Sequence, residues 1–146
     1  MMNRRKEVVE EDASKNLFSP EFTNVQCLLI SEVRVLLQAK KENIKKEGGQ
    51  KNVAEIIQKT IDYCDKFSKF QNKNTVKEVR QLFDPRDDEE RRVDLHFNQF
   101  EVAQLANLCC ETTEEAKILI PSLAEKDDDQ LQNKLTEMQN LKKYGN

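Results

Sequence analysis

Residues 93–123, VDLHFNQFEVAQLANLCCETTEEAKILIPSL, carry the best-punctuated helix signals in the chain and decide its fold class. Asn98 is placed to cap a helix, with Glu101 at the third helical position. Phe97, just before the cap, can meet Val102 as a hydrophobic staple. Val102, Leu105, Ala106 and Cys109 then recur at i, i+3, i+4 and i+7, one apolar stripe on one helical face. A second helix follows at once. Thr112 and Glu115 form a T-x-x-E capping box, Ala116, Leu119 and Ile120 supply an inward face, and Pro121 biases Ile120 out of helical geometry. Small residues such as Ala103 and Ala106 let two backbones approach, so the stretch predicts a tight helix pair at the centre of a helical core.

Working outward, the same signals recur. Ser19 as cap and Pro20 at the first turn predict a helix with the stripe Phe22, Val25, Leu29, Val33 and Leu36. Leu28, Ile30, Val35 and Leu37 widen its apolar surface beyond what one-sided burial needs. Residues 40–52, KKENIKKEGGQKN, read as a charged linker centred on Gly48 and Gly49. Asn52 and Glu55 then cap a helix carrying Val53, Ile56, Ile57, Thr60, Ile61, Cys64 and Phe67 at helical spacing. Thr75 and Glu78 offer a further T-x-x-E start, for a helix burying Val76, Val79, Leu82 and Phe83 and ending at Asp84 and Pro85. Residues 84–94 are nearly all charge and predict an exposed loop. Asp127, Asp128 and Asp129 open a last helix with the stripe Leu131, Leu135 and Met138, closed by Lys142 and Lys143 before Gly145. Residues 1–13 read as a flexible charged arm. Ser14 to Phe18 reads as a short extended piece added to some other surface, because Leu17 and Phe18 are too apolar for a free tail.

Composition sets the frame. The chain has 146 residues, 35% charged and 37% hydrophobic, with three Gly, three Pro and no Trp; an all-α domain with an N-terminal extension is the reading this supports. A net charge of −3 and a pI near 5.4 argue against a protein whose main task is gripping a phosphate backbone, though a local contact stays open. No apolar run reaches the length of a membrane span, and the N-terminus lacks the apolar core of a secretory signal, so an intracellular setting is expected.

The search for chemistry returns structural readings. His96 is the single histidine, so neither a Ser/His/Asp site nor a multi-histidine metal site can be built within one chain. Cys27, Cys64, Cys109 and Cys110 contain no C-x-x-C pair; they read as reduced, small hydrophobes rather than zinc ligands. Acidic pairs at Asp87 and Asp88, at Glu114 and Glu115 and at Asp127 to Asp129 are explained as loop or helix-start charge. The cluster Tyr63, Lys66, Phe67, Lys69, Phe70 and Lys73 could stack bases beside phosphates, but Phe67 falls on the core stripe, and packing is the favoured reading. No metal, cofactor or catalytic residue is expected.

Residues 98–123 resemble the C-terminal signature of the family of the fourth subunit of RNA polymerase II, where a helix reading like ELA-x-LANL precedes an ETAEEAK-x-LIPSL segment. EEDASKNLF at 10–18, SEVRVLL at 31–37, and Tyr63 through Phe67, Phe70, Asn72, Thr75, Val79, Arg80 and Leu82 are similar to the family in the same order, so the resemblance covers most of the chain. Cys110 stands where the family usually has a proline, the loop at 84–94 looks like an insertion, and the basic linker falls in a variable region. Counterparts in other nuclear polymerases and in the archaeal enzyme share the architecture; the LIPSL segment favours polymerase II. The resemblance implies a fold related to the helicase-and-RNase-D C-terminal (HRDC) domain over residues 53–146. Ahead of it, at 14–41, it implies a strand-like partner-binding segment and a long helix, with a flexible linker at 42–52. It further implies an obligate heterodimer with the polymerase's seventh subunit, a nuclear location, a stalk on the polymerase core near the RNA exit path, and a role in initiation and transcript handling without catalysis. Nucleic-acid contact would be at most indirect or weak. Leu17, Phe18, Phe22, Val25, Leu28, Leu29, Val33 and Leu36 are the expected partner-binding residues. A free HRDC-like nucleic-acid-binding module and a helical adaptor of another complex remain as alternatives.

Overall fold

A computed structural model describes residues 10–23, 25–48, 55–84 and 95–146. Within them the chain folds into α1 (Ile30–Lys46), α2 (Glu55–Phe67), α3 (Lys73–Phe83), α4 (Gln99–Leu108), α5 (Thr113–Leu119) and α6 (Asp128–Gly145). Two 3-10 turns, η1 (Ala13–Lys15) and η2 (Pro121–Leu123), complete the order. No β-strand is present among the described residues, and the fold is all-α as expected.

The central pair forms as read. The Asn98 side chain accepts from the Glu101 amide at 2.8 Å and the Glu101 carboxylate accepts from the Asn98 amide at 3.0 Å, a reciprocal capping box. α4 ends on Cys109 in the left-handed region (φ 56°), and Gln139 of α6 donates to the Cys109 and Cys110 carbonyls. Thr112 caps α5 through the Glu115 amide, while the Glu115 carboxylate reaches one residue further back, to the Glu111 amide. Leu119, expected inside, is 52% exposed: α5 packs through Thr113 and Ala116, and the chain turns inward only at Ile120.

The core lies where α3, α4 and α6 meet. Val79, Leu82 and Phe83 face Val102, Leu105 and Ala106 within one buried cluster, and Leu131, Leu135 and Met138 of α6 close it with no exposed surface. The start of α3 differs from expectation. Asn72, not Thr75, is the cap, accepting from the Asn74 amide at 2.8 Å; Thr75 is buried and donates its hydroxyl to the Gly145 carbonyl at 2.6 Å. Tertiary contact thus outcompetes the local capping box. Gly145 is needed for that approach, since a Cβ there would stand 2.6 Å from Thr75 Oγ1.

The larger departure is α1. The helix expected to be capped by Ser19 and to begin at Pro20 begins ten residues later, at Ile30. Ser19 and Pro20 make only a single turn, closed by the Phe22 amide on the Ser19 carbonyl at 2.9 Å. Two tertiary bonds and one local capping bond fix the later start. The Ile30 amide donates to Asn107 Oδ1 of α4 at 3.0 Å, the Leu29 amide donates to the Glu32 carboxylate at 2.8 Å, and the Cys27 carbonyl accepts from Arg80 Nη2 at 2.7 Å. At its other end α1 runs on through Lys46, into the expected linker. Capping of α2 by Asn52, most of the charged loop at 84–94 and most of the N-terminal arm lie outside the described residues.

Candidate partner-binding face

α1 is a helix with apolar residues and no apolar core of its own. Ile30, Val33, Val35, Leu37 and Ile44 are half-buried, Leu36 is 56% exposed, and Ser31 is its only buried residue. Polar side chains hold it against α2: Arg34 Nε meets Asp65 at 2.7 Å, Gln38 donates to the same carboxylate, and Lys41 donates to Gln58. A fork at Arg80 of α3 ties it to the core. Its Nε and Nη2 donate to the two Glu32 oxygens at 2.8 and 2.5 Å, and Nη1 reaches Gln99 of α4.

The piece from Ser14 to Phe18 does not lie extended. Residues 12–17 close a loop around η1 in which Asp12 and Leu17 exchange both backbone bonds, at 2.9 and 3.0 Å. The Asp12 carboxylate accepts from Ser14 and pairs with Lys15 at 3.1 Å, and the Ser14 hydrogen bond, with Lys15 beside it, holds its carboxyl below the usual range. Asn16 takes the left-handed conformation (φ 57°) that the loop needs. The loop packs on its own domain. Phe18 meets Phe100 of α4 edge-on with ring centroids 5.0 Å apart, and Asn16 Nδ2 donates to Glu101. Glu101 is 3% exposed and also accepts from Ser122 at 2.7 Å, so one carboxylate joins the N-terminal loop, the α4 cap and η2. The sequence signalled it only as a capping residue.

The eight residues expected to bind a partner therefore divide. Phe22, Val25, Leu28, Leu36 and Leu17 are exposed by 62, 48, 45, 56 and 47%. Val33 and Phe18 are half-buried, the latter engaged by Phe100, and Leu29 is 1% exposed as part of the core. Leu29 packs into the core of this chain, its backbone set between Cys27, held by Arg80, and Ile30, held by Asn107.

The remaining candidates fall elsewhere. Cys64, Cys109 and Cys110 are buried and Cys27 is half-buried; burial pushes the Cys64 and Cys109 thiols up and Cys110 to about 11. No group of three metal-capable side chains occurs among the described residues. In the aromatic-basic cluster, Phe70 is buried at 1% exposure, but Phe67, expected in the core, is 45% exposed and stacks with Tyr63 at 4.6 Å.

The family model described as RNA polymerase Rpb4 matches residues 27–142, from the Arg80-bound Cys27 to the last turn of α6. The chain is 37% identical to the DNA-directed RNA polymerase II subunit rpb4 of Dictyostelium discoideum, over 92% of this chain and 91% of that one. It is 34% identical to the subunit of the same name in Schizosaccharomyces pombe, covering 94% and 96% of the two chains, and 29% identical to subunit 4 of the Arabidopsis thaliana enzyme, covering 92% and 96%. A match of this extent to both the family model and whole relatives settles membership: the chain belongs to the RNA polymerase Rpb4 family.

Proposed function

We propose that this chain is the fourth subunit of a nuclear RNA polymerase II and pairs with the seventh subunit through its N-terminal loop and α1. The pair stands as a stalk on the polymerase core near the RNA exit path and acts in initiation and transcript handling. The observation that carries the reading is α1: a helix of 17 residues that buries none of its large apolar side chains completely, preceded by exposed Phe22, Val25 and Leu28. Apolar surface of this kind, rimmed by charge, is what an obligate partner covers. The helices from α2 onward serve as the HRDC-like body that holds this surface in place. The subunit has no catalytic role; it orients its partner and presents a helical surface to other factors.

The test is co-expression with the seventh subunit from the same source, followed by affinity capture and sizing. A one-to-one complex is expected, with self-association of this chain when it is expressed alone. A monodisperse, cooperatively melting monomer that ignores the seventh subunit would overturn the reading.

A further inference from the structure

The outer face of α5 is apolar and uncovered among the described residues. Thr113, Ala116 and Ile120 are buried, so helical period turns Glu114, Glu115, Ile118 and Leu119 to solvent together. Ile118, at 77%, is the most exposed large apolar side chain among the described residues, and Leu119 beside it is 52% exposed. Pro121 of η2, next along the chain, is exposed as well. The α1 face proposed for the seventh subunit lies on a different helix and uses none of these side chains.

The border of this face is acidic. Lys117 Nζ donates to the Ala124 and Lys126 carbonyls at 3.0 and 2.6 Å and pairs with Asp128 at 2.6 Å. Those bonds tie the turn between α5 and α6, and the first turn of α6, to the flank of α5. Residues 111–129 thereby gather seven carboxylates against two lysines, in a chain whose net charge is only −3. Both lysines are occupied: Lys117 as above, and Lys126 by the His96 carbonyl and the Phe97 ring, whose centroid is 5.5 Å from its Nζ. Glu111, Glu114, Glu125 and Asp129 are exposed and make no ion pair among the described residues.

We propose that the outer face of α5, centred on Ile118 and Leu119 and bordered by Glu114 and Glu125, docks a basic amphipathic helix of a partner protein. The apolar stripe of such a helix covers the exposed pair, and lysines or arginines beside the stripe meet the unpaired carboxylates. Nucleic acid and an anionic membrane surface are repelled by the same carboxylates. A second copy of this chain could offer α1, which is apolar and ends on Lys45 and Lys46, but pairing with the seventh subunit already covers that helix. The proposal rests on the reading of this chain as a subunit that presents a helical surface to other factors, and it supplies the surface and the chemistry of what docks there.

The test is fluorescence anisotropy of a labelled synthetic amphipathic helix of leucine and lysine, beside an oligolysine of the same length, on the full-length chain carrying a solubility tag. It needs no seventh subunit, so its failure is distinct from failure of the pairing experiment. Ile118→Ser with Leu119→Ser should weaken binding of the amphipathic helix about tenfold or more, with the circular dichroism unchanged because both side chains are exposed. Glu114→Gln with Glu125→Gln should weaken it about two- to fivefold and flatten its dependence on salt. Oligolysine should bind more weakly and respond to the carboxylate variant alone. Leu36→Ser, at an exposed position of α1, should change nothing. Unchanged affinity in the Ile118 and Leu119 variant, oligolysine binding as tightly as the amphipathic helix, an equal loss on Leu36→Ser, or self-association of the chain that Ile118→Ser abolishes would each overturn the proposal.

Discussion

Replacing Arg80 with Met should loosen the whole N-terminal part of the chain from its body. The guanidinium is 13% exposed and makes a two-pronged bond to Glu32, itself 17% exposed, at 2.8 and 2.5 Å, besides its bond to the Cys27 carbonyl. Removing one member of a buried, hydrogen-bonded ion pair costs about 3 to 5 kcal/mol, because the other charge is stranded. Here Glu32 keeps the Leu29 amide at 2.8 Å, and some solvent reaches both side chains, so the lower end, about 3 kcal/mol, applies. For a chain of this size that is a fall in Tm of roughly 6 to 12 °C. Arg80→Lys keeps the charge but not the fork, and should cost about 1 kcal/mol. Urea unfolding of the chain kept in solution by a fused solubility tag, followed by circular dichroism, measures both, and a double-mutant cycle with Glu32→Gln isolates the pair. Stability of Arg80→Met within about 0.5 kcal/mol of the parent would refute the clamp, since that is the range of an uninvolved surface change.

Other outcomes follow from where side chains sit. Phe22→Asp, at a 62% exposed position, should leave the melt unchanged yet weaken capture by the seventh subunit by about 2 kcal/mol or more, read in a pull-down or by titration. Phe18→Asp should instead lose the edge contact with Phe100, worth about 0.5 to 1.5 kcal/mol, and speed proteolysis of the N-terminal loop; equal cleavage rates would count against that docking. Leu105→Asp places an unpaired charge at a position with no exposure and should abolish the cooperative melt. The Cys110 thiol, raised from 9.0 to about 11 by burial, holds its proton more tightly in the folded chain. Its contribution to stability is therefore present below pH 9 and lost as pH rises through 11, so Cys110→Ala should flatten the alkaline decline in stability; an identical decline would show that the thiol does not contribute.

Much of the fold was legible residue by residue where helix ends are capped locally. Asn98 with Glu101, Thr112 with Glu115, and Asp127 at the head of α6 act within four positions of themselves, so spacing alone identifies them. The stripes Val76, Val79, Leu82 and Phe83, and Leu131, Leu135 and Met138, are buried as their periodicity requires. Reading failed where a distant group decided the outcome. Ser19 and Pro20 are a sound local start signal, but Asn107 and Arg80 hold residues 27–30 from a distance, Glu32 caps there locally, and the helix moves along the chain. Thr75 was drawn from a capping role into the core by the Gly145 carbonyl.

The candidate partner face shows the same division. That the N-terminal region carries more apolar surface than one core needs follows from composition and helical period alone. Which of those residues remain outside was decided by the tertiary structure: Leu29 is turned into the core, Phe18 is taken up by Phe100, and Phe22, Val25, Leu28 and Leu36 are left facing solvent. Helix period fixes the angle between side chains on one element but not the direction in which that element faces. That direction was set by hydrogen bonds from Arg80 and Asn107, which lie 48 or more positions from the groups they hold, and no local pattern encodes a contact at that separation.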